Sequence, residues 1–305
     1  MNMNKPGKTI FALVAATCIA FAPQAFAQTD DTEALKIAAL EALISAPPER
    51  ALPLAVKVLQ GDHSDEVKSR ALFVLSQIEL PEAQSIVIET ARQGSGETQV
   101  EAIRMVGIVG DVDGLSQLVE VYESGDEDVR QAVLEAYVIA DDEDAVYDLA
   151  VMVYNSGDEE EFESAVEILG AMGAREHLRK LRETTGISET LIEAYAISGD
   201  ADSLRELALD DSDPELQTQA IEALGIVGGS DVNATLVEIY RNSSSDDIRE
   251  AALEGMLISG HDEGVLELYR SSQDPAEKRE LLEFLVMMGS DEVWDIIDSA
   301  LDGGS

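Results

Sequence analysis

The sequence predicts an all-α fold, a solenoid built from about nine helical hairpins. Three observations lead to this prediction: a motif of about 30 residues recurs along almost the whole chain, its apolar residues fall at helical spacing, and a glycine closes most of its first helices. Because one hairpin cannot bury its own apolar face, consecutive hairpins must stack and share a continuous core.

The residue predicted to end the first helix of each hairpin marks the repeat. In chain order these markers are Pro47, Glu79, Gly110, Ala140, Gly173, Gly199, Gly228, Gly260 and Gly289, and they are 26 to 33 residues apart. Two helices with two short turns need about 30 residues, whereas a propeller blade needs about 40. The spacing therefore favours helical hairpins, and glycine suits the left-handed conformation that ends many helices.

A small or apolar residue lies eight positions before each marker. This column consists of Ala39, Ala71, Ala102, Ala132, Ala165, Leu191, Ala220, Ala252 and Leu281. Since apolar residues follow at helical spacing, we expect the column to be buried, with the alanines allowing neighbouring helices to approach closely.

Aspartates are predicted to begin many of the helices as N-cap residues. After the markers, the predicted caps of the second helices are Asp111, Asp200, Asp231, Asp262 and Asp291. Asp213 and Asp274 each precede a proline that opens a first helix, and Glu277 is predicted to complete a capping box with Asp274. The same acidic loops invite a calcium interpretation, but an EF-hand needs oxygen ligands spread over about 12 residues, so capping is preferred.

Several first helices open with a common pattern, clearest in residues 65–71, 128–132 and 247–252. It resembles the "D-x-V-R-x-x-A" opening of the HEAT repeat family, particularly of its short, bacterial, lyase-type members. The resemblance covers roughly residues 33 to 302, although the arginine is missing in the hairpins of Ala102, Ala165 and Ala220. It implies a HEAT-like superhelix whose second helices line the concave face. Family members include adaptors, assembly scaffolds and a minority of bilin lyase subunits.

The first 27 residues have the pattern of a cleaved secretory signal. A basic start with Lys5 and Lys8 precedes an apolar run, and small residues lie before Gln28. We therefore expect cleavage near Ala27, a periplasmic or secreted protein, and residues 28–305 as a single solenoid domain. The only cysteine, Cys18, lies in the signal, and nothing later is apolar for long enough to span a membrane.

The charge balance is strongly acidic. The net charge of the whole chain is -42, and loss of Lys5 and Lys8 with the signal would make it -44. Such a field repels nucleic acid and attracts basic partners, so we expect a protein partner with a basic surface and no nucleic acid. The alternative is that the acidity serves solubility or adaptation to salt.

No constellation in the sequence points to catalysis or to a cofactor. The histidines His63, His177 and His261 belong to different hairpins, and we assign none of them a role. No metal site, no cofactor and no enzymatic activity are therefore predicted.

One basic stripe interrupts the acidic surface, formed by Arg175, Arg179 and Arg182 at helical spacing. Guanidinium groups bind carboxylates in two-point contacts, so the stripe is a candidate docking site for an acidic group. The alternative is neutralisation within the protein, by residues 158–161 or by neighbouring hairpins.

Tyrosines recur near the ends of the second helices, at Tyr122, Tyr154, Tyr240 and Tyr269. The resemblance to HEAT repeats implies that their exposed edges line the concave face and anchor a partner. The alternative is that the rings pack between adjacent hairpins.

The favoured function is an exported, acidic scaffold that binds another protein, one with a basic or extended segment. The alternative from the family is a small-ligand-binding or lyase-like subunit that uses the concave face. A third option is assembly by self-stacking, but the last helix has apolar residues enough to cover its own hairpin, and we expect a monomer.

Overall fold

The computed structural model describes residues 31–110 and 112–301. Within these ranges the regular structure is α-helical and contains no strand, which confirms the all-α fold class. The predicted signal, Cys18 and Asp111 lie outside the described residues. The helices form two compact units, the first ending at Leu80 and the second beginning at Pro81.

The first unit contains α1 (Asp31–Leu43), α2 (Pro48–Leu59) and α3 (Asp65–Ser76). Both α1 and α2 pack on α3, and the side chains of Ala51, Ala55 and Leu72 are fully buried.

Three expectations for this unit are wrong. Pro47 does not end the first helix but is the N-cap of α2, since a residue before proline avoids the α conformation and Pro48 occupies the first turn. Likewise α3 ends at Ser76, so Glu79 lies beyond it, and Ala39 is exposed.

The second unit is a stack of helical hairpins in two layers. Its helices are α4 (Pro81–Gln93), α5 (Gly96–Val109), α6 (Val112–Ser116), α7 (Leu118–Ser124), α8 (Glu127–Ala140), α9 (Glu143–Ser156), α10 (Glu159–Met172), α11 (Arg175–Thr185), α12 (Glu189–Ser198), α13 (Ala201–Ala208), α14 (Pro214–Val227), α15 (Ser230–Asn242), α16 (Asp246–Ser259), α17 (Asp262–Ser271), α18 (Pro275–Met288) and α19 (Glu292–Leu301). The first helices are α5, α8, α10, α12, α14, α16 and α18. They pack side by side, and the second helices form the other layer, which is the stacking of a solenoid.

Left-handed residues end most first helices of this unit, as predicted. They are Gly110, Gly173, Gly199, Gly260 and Gly289. Gly228 also has a positive φ, but its ψ of -171° takes the chain into an extended turn. The marker Ala140 is wrong by one residue, because α8 continues through it and Asp141 is the left-handed cap, with φ 56°. Aspartate is one of the few other residues that tolerate this conformation.

Three of the predicted aspartate N-caps are confirmed. The side chains of Asp200, Asp213 and Asp274 accept hydrogen bonds from backbone N–H groups in the first turns of α13, α14 and α18. Each bond satisfies a donor that the helix itself leaves free.

Two predicted caps and the capping box are wrong. Gly229 is the N-cap of α15 and His261 that of α17, so Asp231 and Asp262 already lie inside their helices. Glu277 does not bond to the backbone of Asp274; it accepts hydrogen bonds from Ser272 and Arg249 instead.

The predicted small-residue column is fully buried in both units, apart from Ala39. Close helix contact comes from a second small position, three residues before the cap. At Gly107 and Gly225 a β-carbon would come within 2.6 Å of backbone atoms of the next first helix. At Gly170 the corresponding distance is 3.0 Å. The pairs α5–α8, α10–α12 and α14–α16 are therefore in near backbone contact.

Two junctions between first helices are wider. α8 and α10 touch far less than the glycine-bearing pairs, and so do α16 and α18. In α8 and α16 the position of the contact glycine is occupied by Val138 and Leu257. Because these larger side chains hold the backbones apart, we call the two places the open junctions.

No helix in the described ranges has both the length and the apolar character to cross a membrane.

Candidate partner-binding surfaces

The predicted arginine stripe lies on α11 and binds the hairpin that follows it. Arg175 donates from Nε to the carbonyl oxygen of Ser198 at 2.8 Å, and Arg182 donates to Glu206 at 3.2 Å. Arg179 donates from Nε to Asp200 Oδ2 at 2.8 Å. Arg179 and Arg182 are thus paired with acidic side chains of the next hairpin, whereas Arg175 binds a neutral carbonyl group.

The predicted alternative partners of the stripe have other roles. Asp158 caps α10, and Glu161 binds Arg130 of α8. The leucines of α11, Leu178 and Leu181, are fully buried, as their spacing indicated.

The carboxylate of Asp200 is the most buried charged group in these contacts, at 2% exposure. It accepts hydrogen bonds from Arg179, from the Ser203 hydroxyl at 2.7 Å and from the Ser203 backbone N–H. Burial alone raises the pKa of this carboxyl, but the hydrogen bonds outweigh burial and hold it below its ordinary value. Asp200 therefore joins α11 to α13 and caps α13 at the same time.

The four predicted tyrosines have different environments. Tyr122 and Tyr240 are buried and lie at the two open junctions. Tyr154 is 41% exposed and packs against Phe162, with ring centroids 5.3 Å apart. Tyr269 is half-buried, and the ammonium of Lys278 lies 5.1 Å from its ring centroid. Packing between hairpins thus describes two of the rings, while the other two stay accessible.

The first open junction is bridged by Tyr122, Arg130 and Glu161. The Tyr122 hydroxyl donates to Glu161 Oε2 at 2.8 Å, and Arg130 forms an ion pair with the other carboxylate oxygen. The guanidinium carbon of Arg130 lies 5.9 Å from the Tyr122 ring centroid. Burial, with Glu161 next to the hydroxyl, raises the Tyr122 pKa well above its ordinary range.

The second open junction repeats this arrangement with Tyr240, Arg249 and Glu277. Arg249 Nη2 donates to the Tyr240 hydroxyl and to Glu277 Oε1, each at 2.8 Å, and its guanidinium lies 4.6 Å from the ring centroid. These residues and Ser272 line a surface cleft of about 270 Å³. The two triads show that polar contacts replace close backbone contact where the first helices separate.

A row of exposed apolar side chains runs along the first helices, two residues before each cap. Its members are Ile108, Ile139, Ile197, Ile226, Ile258 and Met287, between 39% and 66% exposed, and only α10 breaks the row, with Ala171. We call it the isoleucine ridge. Single exposed apolar residues are ordinary, but the same exposed position in successive helices indicates a surface with a function.

A row of glutamates accompanies the ridge, one helical turn earlier on the same face. Its members are Glu135, Glu167, Glu193, Glu222, Glu254 and Glu283. Burial and then neighbouring glutamates raise the pKa of Glu167, Glu193 and Glu222. We call these residues the glutamate row. Glu135 of the row forms an ion pair with Arg104 at 2.9 Å.

His177 lies on α11 between Arg175 and Arg179 of the arginine stripe, whereas His63 and His261 belong to other hairpins. The side chain of His177 is largely enclosed. Its ring nitrogens lie 3.2 Å from Glu143 Oε2 and 2.9 Å from Asp144 Oδ1. In residues 31–110 and 112–301, no three His, Cys, Asp or Glu side chains converge in a way that could hold a metal ion.

Residues 193–256 match the family model of HEAT repeats. Residues 193–256 therefore consist of HEAT repeats. This confirms the resemblance for the matched segment, which begins in α12, ends in α16 and contains Ile197 and Ile226 of the isoleucine ridge. A comparison with curated proteins gave no match.

Two solved structures are similar to these HEAT repeats in fold. Human deoxyhypusine hydroxylase in complex with glycerol is 18% identical, with 90% of this chain and 93% of that chain covered and a TM-score of 0.33. The complex of CpcE and CpcF of phycocyanin lyase from Nostoc sp. PCC7120 is 16% identical, with 80% and 95% covered and a TM-score of 0.29. Because the identities and TM-scores are low, neither likeness assigns an activity to this chain.

Sequence reasoning missed the isoleucine ridge, although its signal is present in the HEAT repeats. Glutamate, isoleucine and the cap recur at the same spacing in Glu193, Ile197 and Gly199, and again one and two hairpins later. The sequence analysis followed the apolar spacing of the core and did not single out these isoleucines; their exposure depends on the direction of each helix face.

Proposed function

We propose that the protein is an exported, acidic HEAT-repeat scaffold that binds another protein with a basic or extended segment. The observation that carries the proposal is that most arginines are already paired with acidic side chains of the protein itself. Ion pairs with acidic side chains engage Arg70, Arg92, Arg104, Arg130, Arg179, Arg182, Arg205, Arg241 and Arg249. With a net charge of -42, the remaining surface is anionic and favours a basic partner.

Export is proposed from the sequence of residues 1–27, with a periplasmic or secreted location after cleavage near Ala27. Terminal sequencing of the protein from the extracellular or periplasmic fraction tests it. A chain that begins at Gln28 is expected, and a full-length chain kept inside the cell is the contrary result.

Binding rather than catalysis is proposed because the polar groups of the open junctions bind one another. Arg130 and Arg249 each have a carboxylate and a tyrosine ring as neighbours, which is the chemistry of a structural contact.

The scaffold function is tested with the mature chain immobilised and exposed to the exported proteins of the same cells. A basic protein should be retained at low salt and released as the salt concentration rises, because screening weakens attraction between exposed charges. The purified partner is then titrated calorimetrically at two ionic strengths. An affinity that does not change with salt contradicts electrostatic capture.

The expected monomer is tested by light scattering at several concentrations. A molar mass that stays at that of one chain supports a monomeric scaffold, and a mass that rises with concentration supports self-stacking.

Small-ligand binding is the second candidate, and the polar cleft at the second open junction is the observation that favours it. Crystals soaked with small carboxylates test this candidate. Ordered density between Arg249 and Arg241 would favour it over the scaffold.

A further inference from the structure

We propose that the isoleucine ridge and the glutamate row of α12, α14, α16 and α18 form a docking track for an extended, basic segment of a partner protein. The segment carries an apolar side chain at every third residue, with lysine or arginine between. The inference rests on the proposed scaffold function and names the surface and the partner chemistry that this function uses.

The apolar half of the track consists of Ile197, Ile226, Ile258 and Met287. Each is at least 39% exposed, and each occupies the same position before its cap. A repeated large apolar side chain of this kind loses contact with water when an apolar partner covers it, which favours binding by about 25 cal/mol for each Å² covered.

Helix packing places these positions side by side. The contact between Gly225 and Gly255 brings α14 and α16 into near backbone contact, three and five residues before their caps. Equivalent residues of the two helices are then neighbours, so Ile226 lies beside Ile258 and Glu222 beside Glu254. The influence of Glu254 on the ionisation of Glu222 agrees with this register.

The acidic half of the track identifies the occupant as basic. Burial and then neighbouring glutamates raise the pKa of Glu193 and Glu222, so their ionised forms are disfavoured. A cationic side chain placed between two glutamates would relieve this repulsion and form charge-assisted hydrogen bonds.

The track is confined to the later helices for two reasons. In α8 the equivalent Glu135 is already paired with Arg104 of α5. In α10 the ridge position is Ala171, which presents little apolar surface. Ile108 and Ile139 are therefore exposed in the same way but lie outside the track.

The spacing of the helices favours an extended occupant. Packed helices are typically about 8–10 Å apart. Within the track α14 and α16 are closer than α16 and α18, which meet at the second open junction. A polyproline II segment rises about 3.1 Å per residue and has three residues per turn, so every third side chain points the same way about 9 Å further on. One apolar side chain of such a segment can therefore meet each ridge residue in turn.

The test uses a fluorescent synthetic peptide with one Leu-Lys-Pro triplet for each of the four helices, titrated with the mature chain and followed by anisotropy. Control peptides carry Leu-Glu-Pro or Ser-Lys-Pro triplets, and a further peptide, with alanine in place of each proline, is designed to form a helix. The proposal predicts binding of the Leu-Lys-Pro peptide alone among the proline-containing peptides, with an affinity that falls as salt rises.

Paired substitutions locate the binding. Ile226→Ser with Ile258→Ser should weaken binding about tenfold or more, because two apolar contacts are lost and each 1.4 kcal/mol is about a factor of ten. Glu222→Gln with Glu254→Gln should weaken it at low salt and reduce its salt dependence. Ile108→Ser with Ile139→Ser is the matched control and should leave the affinity unchanged. Far-UV circular dichroism and thermal melting verify that each variant is folded.

Several results would overturn the track. One is that the Leu-Lys-Pro peptide does not bind. Another is that both paired isoleucine substitutions weaken its binding equally, and a third is that the helical peptide binds more tightly. The scaffold function is judged separately, with the partner obtained by capture. If the wild-type chain binds this partner in a salt-dependent way and the track variants bind it equally well, the track is wrong and the scaffold function stands. If the peptide binds at the track while no salt-dependent partner is retained from the cell, the scaffold function fails.

Discussion

Gly225 of α14 faces Gly255 of α16 so closely that a β-carbon on Gly225 would lie 2.6 Å from the backbone of Gly255. Such a distance is shorter than any that a real β-carbon keeps. The two helices therefore approach to backbone contact because Gly225 lacks a side chain. This contact also sets the register of the ridge residues on their outer faces.

Gly225→Ala tests this contact. Alanine gains about 1 kcal/mol over glycine in a helix interior, but overpacking a closed interface costs about 1–3 kcal/mol. We expect a net loss of about 1–2 kcal/mol in the free energy of unfolding, measured by urea denaturation. Gly255→Ala is the matched control, since the nearest atoms to its β-carbon are at 3.2 Å, and it should be closer to neutral. Equal effects of the two substitutions would show that this contact is not tight.

Asp200 combines an ion pair and a helix cap, and two substitutions separate them. Asp200→Asn retains a capping oxygen but removes the charge that Arg179 binds. Because Arg179 is partly exposed, we expect a loss of only about 1–2 kcal/mol in the free energy of unfolding. Asp200→Ala removes the cap as well and should lower the free energy of unfolding by about 1 kcal/mol more. Equal losses for the two variants would mean that the cap contributes nothing.

The pH dependence of this site follows from the lowered pKa of Asp200. A carboxyl whose folded pKa lies below its unfolded value stabilises the fold above the unfolded pKa, and that contribution is lost as the pH falls through the folded value. The difference between wild type and Asp200→Asn in urea denaturation should therefore shrink in acid.

The caps of the first helices could be predicted because the left-handed conformation leaves few choices of residue. Gly173 and Gly260 are predictable for this reason, whereas Asp141 is not, since aspartate takes the same conformation only occasionally. The start of α15 was missed because two successive glycines with positive φ, Gly228 and Gly229, bring the chain into the helix earlier than Asp231.

The sites were less predictable than the fold, because their partners lie in other hairpins. Arg179 could be recognised as a carboxylate binder from its type and spacing, but its partner Asp200 belongs to the next hairpin and looked like a cap alone. Arg249 and Glu277 were likewise assigned to motifs of their own helices. Contacts of this kind depend on how far apart the helices stack, which local sequence patterns do not contain.

Tyr122 and Glu161 are expected to be energetically coupled across the first open junction, because the hydroxyl donates to the carboxylate at 2.8 Å. A double-mutant cycle of Tyr122→Phe and Glu161→Gln should give a coupling of about 1 kcal/mol in urea denaturation. Tyr154→Phe is the control at the equivalent position of the next hairpin; its ring is 41% exposed, and the change should stay within about 0.5 kcal/mol. A coupling of zero would reduce the first triad to a chance arrangement.

The glutamate row should make the fold more stable in mild acid than at neutral pH. Burial and neighbouring carboxylates raise the folded pKa of Glu193 and Glu222 above the ordinary glutamate value. A group with a raised pKa contributes its full stability below the unfolded pKa, and this is lost as the pH rises through the folded value. The free energy of unfolding should therefore increase as the pH is lowered from 7 towards the range of these carboxyls.

Glu193→Gln and Glu222→Gln should each stabilise the neutral protein, and both should flatten this pH dependence. Solvent screens these half-exposed groups, so the gain is a few tenths of a kcal/mol for each and decreases with added salt. Glu135→Gln is the matched substitution at the same helix position. It removes the ion pair with Arg104 and should change the stability in the opposite direction. Urea midpoints measured against pH and sodium chloride distinguish the two behaviours, and stabilisation by Glu135→Gln would mean that net charge alone governs the row.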